Sequence, residues 1–250
     1  DTVIEIGPGE GALTIPLAEA CQKIGCRLVA IERDAQLVES IKNKVLSSTE
    51  ILEGDILRIL PKLIRDWKLL ARHSIGEGGE IVNWKLAGNI PYYITGKLLR
   101  IISELPKKPL RSVLMVQREV AERVVAEPPR MNLLAAATQI WAEPKIMMCL
   151  APDDFSPPPE VDSAIILLKN KPASMQSLAI TDYYSFIRIF FKQPRKTALN
   201  NLRSGYPETS VSAIKKHLSL YGIDENARPQ DISLPVLIKL ASHMRDSGIK

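Results

Sequence analysis

The 250-residue chain, 46% hydrophobic, is long enough for one large domain, or for a medium and a small one, each with a buried core. It has no apolar run that spans a bilayer and no signal-peptide pattern, so no membrane partner is expected. The net charge of +5 is lopsided: from Lys171 onward twelve Lys/Arg face six Asp/Glu, a local +6 that leaves about −1 for the rest. Such a basic third predicts a polyanionic partner, although a solvated helical surface with surplus lysines fits the charge equally well.

Thr2–Ile6 is a β-branched run that ends in Gly7-Pro8-Gly9-Glu10-Gly11, and a helical pattern follows through Leu13, Ile15, Leu17 and Ala18. Glycines in a strand-to-helix turn let a ligand approach the backbone closely. The G-x-G-x-G spacing and Pro8 argue against the G-x-G-x-x-G turn of dinucleotide-binding proteins. Glu5, just before the turn, is better placed to hold an amine than a pyrophosphate. Cys21, Cys26 and Cys149 are odd in number and lack metal-ligand spacing. They read as free thiols of a reducing cytosol, and no metal is expected.

A second strand, Arg27–Ile31, ends in Glu32, about 20 residues after the glycine turn, where a ribose diol would be gripped. After a helix over Gln36–Leu46, the strand Ile51–Ile56 carries Asp55 at its tip. Asp55 can accept from the exocyclic amine of an adenine, or cap the helix that starts near Leu57. Three strands thus present a glycine turn or an acid at one edge of a predicted parallel sheet, the edge where open α/β sheets bind ligands. With no lysine or Walker sequence to receive phosphates, a nucleoside with a cationic, phosphate-free tail fits best. S-adenosylmethionine is such a ligand.

Ile81–Leu86 reads as a strand and leads into Ala87-Gly88-Asn89-Ile90-Pro91-Tyr92-Tyr93-Ile94-Thr95, followed by a helical pattern at Leu98, Leu99, Ile102 and Leu105. The Asn89 side-chain oxygen and the Pro91 carbonyl can both accept from one amino group. Pro91 restricts the backbone, and Tyr92 can lay its ring on a flat heterocycle. An ordinary turn with proline near a helix start is the alternative. Ser112–Val116 is a further strand. Gln117-Arg118-Glu119 and a helix over Val120–Val125 follow, with charges that can line a nucleic-acid groove or simply face solvent. Between the strand-like Lys145–Leu150 and Val161–Leu168 lies a stiff proline loop with Phe155 in it. Beyond Asn170-Lys171-Pro172-Ala173-Ser174 only helices are expected, including Val211–Tyr221, capped by Gly222, and Leu234–Met244. Tyr183, Phe186, Ile187, Phe190 and Phe191 have helical core spacing. Lys192, Arg195 and Lys196, with Arg203 nearby, can grip phosphates.

Taken together, Glu5–Thr14, Ala30–Asp34, Gly54-Asp55, Gly88–Thr95, Gln117–Arg123, Phe155–Ala164 and Phe191–Thr197 resemble, in order, the ribosomal RNA adenine N6-dimethyltransferase family, in its small-subunit branch. The resemblance implies a class I methyltransferase: a doubly wound, mostly parallel α/β domain over residues 1–170, and a small helical domain over 174–250 that orients RNA. By similarity, Gly7, Gly9, Glu32, Asp55 and Asn89 contact S-adenosylmethionine, and Phe155 forms the wall opposite Tyr92 around an extruded adenine. The implied partner is ribosomal RNA within a small-subunit assembly intermediate, met by a cytoplasmic monomer. Family members carry a segment before the first strand that closes over the cofactor, whereas this chain begins at Asp1 within that strand. A fragment or a truncated protein is therefore expected, with unaided cofactor binding open. The Arg65–Glu80 connection is longer than the family pattern, and glycine-rich Ser74–Glu80 reads as a surface loop without chemistry. Rival readings are a large-subunit RNA methyltransferase conferring antibiotic resistance, a non-catalytic RNA-binding factor, and a nicotinamide-dependent oxidoreductase.

Overall fold

A computed structural model describes residues 1–65, 83–171 and 180–246. Seven strands form one sheet in the order β3-β2-β1-β4-β5-β7-β6. They are β1 (Thr2–Ile6), β2 (Arg27–Glu32), β3 (Thr49–Glu53), β4 (Trp84–Asn89), β5 (Arg111–Gln117), β6 (Ala142–Leu150) and β7 (Ser163–Asn170). The pairs from β3 through β5 are parallel, and β7 runs antiparallel to β5. Leu28, Val29, Ala30 and Ile31 are all buried, as a central strand covered on both faces requires.

The order reverses at β1, so β1 and β4 leave a crevice at their carboxyl ends where such sheets hold ligands. The helices α1 (Thr14–Ile24), α2 (Ala35–Lys42), α3 (Ile56–Arg65) and α4 (Thr95–Glu104) follow the first four strands. Each therefore starts at that same edge. Because β7 is antiparallel, pairing Ser163 with Gln117, its amino end also lies at this edge. The loop between β6 and β7, which carries Phe155, opens there too.

By internal packing the chain divides into two units, Asp1–Ala121 with Lys145–Asn170, and Glu122–Pro144 with Lys171–Lys250. This division differs from a simple cut near residue 170. Helix α6 (Leu133–Gln139) groups with the second unit because α7 (Ile180–Phe190) is tied to it. Tyr183 and Tyr184 donate their hydroxyls to the Ala136 and Ala137 carbonyls. Phe186 and Phe190 stack at 5.3 Å between ring centroids and are buried. The second unit also holds α8 (Ala198–Gly205), α9 (Val211–Leu220) and α10 (Leu234–Asp246), while α5 (Arg118–Val124) precedes α6. Gly222 takes φ +68 after α9, and Ile223 N–H bonds the Leu218 carbonyl, the expected glycine stop. None of the helices among the described residues is long and apolar enough to cross a membrane.

Three sequence expectations are corrected, the first being that the third strand is Thr49–Glu53 and not Ile51–Ile56, with Asp55 beyond it because α3 starts at Ile56. Cys21 and Cys26 form a disulfide and are not free thiols; only Cys149 is free, and it is exposed. The cause is local: Gly25 ends α1 at φ +69, so Cys26 N–H reaches back to the Cys21 carbonyl and the two Cα atoms lie 4.5 Å apart. The thiol argument for a reducing compartment lapses for that pair. The fourth strand also runs later than expected. Ala87, Gly88 and Asn89 belong to it, because they pair with β1 and β5. Ile81 and Val82, most of the Arg65–Glu80 connection and the Pro172-Ala173-Ser174 junction lie outside the described residues.

Candidate active site

The glycine turn is braced by Glu32. Its carboxylate accepts from Gly9 N–H at 3.1 Å, Arg33 N–H at 2.7 Å and Asp34 N–H at 3.0 Å. A carboxylate offers about four acceptor positions, so about one remains for a ligand hydroxyl. Gly7 and Gly9 sit at φ +62 and +56, where side chains are strained, and no atom lies within 4 Å of a Cβ built on Gly9. The turn therefore presents bare backbone to the crevice.

Glu5 is buried within β1, 1% exposed, and its Oε2 has no hydrogen-bond partner among the described residues. Burial pushes its carboxyl up to about 7; the nearby Thr14 hydroxyl, outside hydrogen-bonding geometry, opposes this more weakly. An orphaned buried carboxylate suits a cationic group. Just beyond the next strand but one, Asp55 accepts from Leu57 N–H at 2.9 Å, so it caps α3, and its other oxygen lies 4.0 Å from Arg58 Nε. It stays half-buried, with room for a further donor.

The register of β1 on β4 sets Ile6 beside Gly88, which brings Gly7 against Asn89. A Cβ on Gly7 would sit 3.8 Å from the Asn89 carbonyl oxygen, and one on Gly88 would sit 2.7 Å from the Ile6 carbonyl oxygen. Only glycine fits at 88. Asn89 is exposed, and no described residue hydrogen-bonds its side-chain amide. The chain beyond it is pinned: Ile90 is buried and donates to the Met115 carbonyl at 3.0 Å. Pro91, at φ −53 and ψ 125, opens a 3-10 turn over Tyr92–Ile94. Its carbonyl accepts Ile94 N–H at 3.0 Å and keeps a second lone pair.

Tyr92 is half-buried, and its hydroxyl meets Ser163 Oγ at 2.9 Å, which fixes the ring against the start of β7. Phe155, also half-buried, follows a 3-10 turn over Pro152–Asp154 that is braced by Asp154 accepting from Ala151 N–H at 2.8 Å. Arg118 reinforces this corner through its N–H to the Asp162 carbonyl and an ion pair with the Asp162 carboxylate at 3.3 Å. The sheet edge thus gathers Glu5, Gly7, Gly9, Glu32, Asp55, Asn89, Pro91 and Tyr92, with the Phe155 loop opening beside them.

The second unit carries Lys192, Arg195, Lys196 and Arg203, all exposed. The first three lie in the turn between α7 and α8, and the turn is built around one buried side chain. Asn201, 3% exposed, accepts from Gln193 N–H at 2.9 Å and donates to the Gln193 and Thr197 carbonyls at 3.0 and 3.1 Å. Sequence reasoning missed Asn201 and Ser163. A poor helix former early in α8, and a serine inside the Phe155–Ala164 match, were the available signals. Among the described residues no group of three or more His, Cys, Asp or Glu can hold a metal ion.

Comparison with known proteins supplies the family. Residues 1–242 match the family model for ribosomal RNA adenine dimethylase. The chain is 35% identical over 243 residues to a ribosomal RNA small subunit methyltransferase A of Dehalococcoides mccartyi strain CBDB1, covering 96% of this chain and 77% of that protein. A Koribacter versatilis protein of the same name is 31% identical, over 98% of this chain and 85% of its own length. Among solved structures, a dimethyladenosine transferase from Plasmodium falciparum superposes over 100% of this chain and 91% of its own, with a TM-score of 0.75 at 22% identity. The 23S rRNA methyltransferase ErmE gives 0.68 at 22%, over 98% and 91%. These two likenesses establish the class I methyltransferase fold, and the sequence match goes further: this chain belongs to the ribosomal RNA adenine dimethylase family.

Proposed function

We propose that the protein transfers two methyl groups from S-adenosylmethionine to N6 of adenines in small-subunit ribosomal RNA, acting as a cytoplasmic monomer on a small-subunit assembly intermediate. The observation that carries this reading is the adjacency of the Gly7 turn and Asn89 across the β1–β4 register, so close that a Cβ built on Gly7 would lie 3.8 Å from the Asn89 carbonyl oxygen. The name shared by the relatives favours the small subunit.

The residues fit the cofactor by donor chemistry. The orphaned Glu5 oxygen accepts its ammonium, the remaining Glu32 acceptor takes a ribose hydroxyl, Asp55 takes the adenine amine, and the bare Gly7 and Gly9 backbone admits it closely. When bound, it supplies a methyl group activated by a sulfonium.

The chain's own residues prepare the acceptor. The lone pair of an adenine amine is delocalised into the ring, so the amine is a weak nucleophile. Asn89 Oδ1 and the second lone pair of the Pro91 carbonyl accept its two N–H groups in the first transfer and share its one N–H in the second, favouring a pyramidal nitrogen. Each transfer breaks the S–CH3 bond of one cofactor molecule, forms one N–CH3 bond, and releases the thioether and one amine proton to water. Tyr92, held by Ser163, and Phe155 stack on the two faces of an adenine drawn out of its helix. Positioning is then most of the catalysis, and no general base is assigned. Lys192, Arg195, Lys196 and Arg203 hold backbone phosphates without reading sequence.

Methyl transfer from labelled S-adenosylmethionine to undermethylated small and large ribosomal subunits tests the proposal. Label in dimethyladenosine of the small subunit alone is expected. Label confined to the large subunit would assign the rival resistance activity, and no label on either would leave an RNA-binding factor.

A further inference from the structure

Two consecutive tyrosines occupy the turn after Asn89, and the fold treats them oppositely. Tyr92 is tied inward to Ser163, while Tyr93 stands 79% exposed on a stiff 3-10 turn between Pro91 and α4. Aromatic residues make up only 5% of the chain, and among the described residues no other tyrosine, phenylalanine or tryptophan is among the exposed large hydrophobics. A ring held in water loses apolar burial and gains little from its hydroxyl alone.

The surface around Tyr93 has a second and a third feature. The 3-10 turn that carries Tyr93 runs directly into α4 at Thr95, and Gly96 and Lys97 lie in the first turn of that helix with Arg100 one turn beyond, all three exposed. Beyond its chain neighbours and its own helix backbone, no described atom lies within 4 Å of a Cβ built on Gly96, so the start of α4 is uncovered there. Arg100 is engaged by Glu104 at 3.0 Å, whereas no described residue pairs with Lys97. A flat ring, an uncovered backbone and an available cation, in that order, match the parts of one nucleotide: base, sugar and phosphate.

We infer that Tyr93, Gly96 and Lys97 form a subsite for the nucleotide next to the target adenine, with its base stacked on Tyr93 and its phosphate beside Lys97. The inference rests on the proposed RNA methylation and deepens it. The subsite accepts any base, because every base has a face to stack, and it selects unpaired over helical RNA. It also supplies an anchor for the strand from which the adenine has been drawn out.

The test is a binding cycle with the full chain and a labelled single-stranded oligouridylate carrying one central adenine. Two further versions lack the base on the 5′ or the 3′ side of that adenine. Tyr93→Ala should weaken binding of the intact strand about 10-fold, and Tyr93→Phe should change it less than about twofold. One of the two abasic strands should bind the wild type as weakly as the intact strand binds Tyr93→Ala, with no further loss when both changes are combined. Lys97→Gln should lower the salt slope of binding by about 0.7. The subsite is overturned if Tyr93→Ala loses equally on all three strands, if it binds like wild type, or if the wild type fails to bind the intact strand. Failure of methyl transfer to small subunits, with this cycle intact, would instead sink the activity and leave the subsite standing.

Discussion

The two sides of the sheet edge are built on opposite plans. Around the glycine turn the polar groups are already bonded within the chain: Glu32 takes three backbone N–H groups and Asp55 takes one. Around the end of β4 they are left open, with the Asn89 amide exposed, one Pro91 lone pair unused and Tyr93 in solvent. A small ligand of fixed shape is served by a preformed cradle. A base that arrives on a flexible strand is served by acceptors and rings that wait for it. Glu5 is the exception on the first side, a buried carboxylate with an unpartnered oxygen, and it marks where the cradle lacks a charge.

The largest effect should come from the open side. Asn89→Ala is expected to cut turnover on the order of 10²–10³-fold, with a much smaller loss of S-adenosylmethionine affinity by calorimetry. Equal loss of both would erase the contrast. Phe155→Ala should divide the same two readouts in the same sense, with a drop of about 10-fold in turnover.

Glu5 sharpens the comparison through pH. Its carboxyl titrates at about 7 when folded, against 4.5 unfolded. The folded state therefore binds the extra proton between those values, and this stability is present below about pH 4.5 and lost as pH rises through 7. Glu5→Gln should leave ligand-free stability unchanged near pH 4, and raise it by roughly 3 kcal/mol at pH 8 in urea unfolding. If Glu5 holds the cofactor's ammonium, wild-type affinity should rise between pH 6 and 8, and the variant should lack that rise.

Smaller effects belong to the second unit. Asn201→Ala strands the Gln193 N–H and two carbonyls, so about 1–3 kcal/mol of stability should be lost, together with RNA affinity. Neutralising Lys192, Arg195 and Lys196 to Gln should leave the fold intact and lower the salt slope of RNA binding by about 2–3. An unchanged slope would assign those charges to solvent.

Much of this edge is legible in the sequence, because each strand that builds it ends in a residue with chemistry, Glu32 or Asn89, or runs within two residues into one, Gly7 or Asp55. The alternation of apolar runs and punctuating glycines carries that information within a few residues of sequence. What escaped depended on contacts between distant residues. The Tyr92–Ser163 bond spans 71 positions, and nothing in either segment names the other. Grouping 122–144 with the helical unit rests on hydroxyls of α7 reaching carbonyls of α6, 47 positions away. The Cys21–Cys26 pair was close in sequence yet still missed, because parity and spacing say nothing of a left-handed glycine that folds the chain back. The sequence pattern sets Asn89 after the strand. Its place as the last residue of β4 follows from a register that only the paired strands define.

The most direct test of one pocket with a closed and an open side is to measure cofactor binding and methyl transfer on the same preparation of wild type and Asn89→Ala. Wild type should bind S-adenosylmethionine and place labelled dimethyladenosine in undermethylated small subunits, and Asn89→Ala should keep most of the binding and lose the transfer. Undiminished transfer by Asn89→Ala would contradict the account.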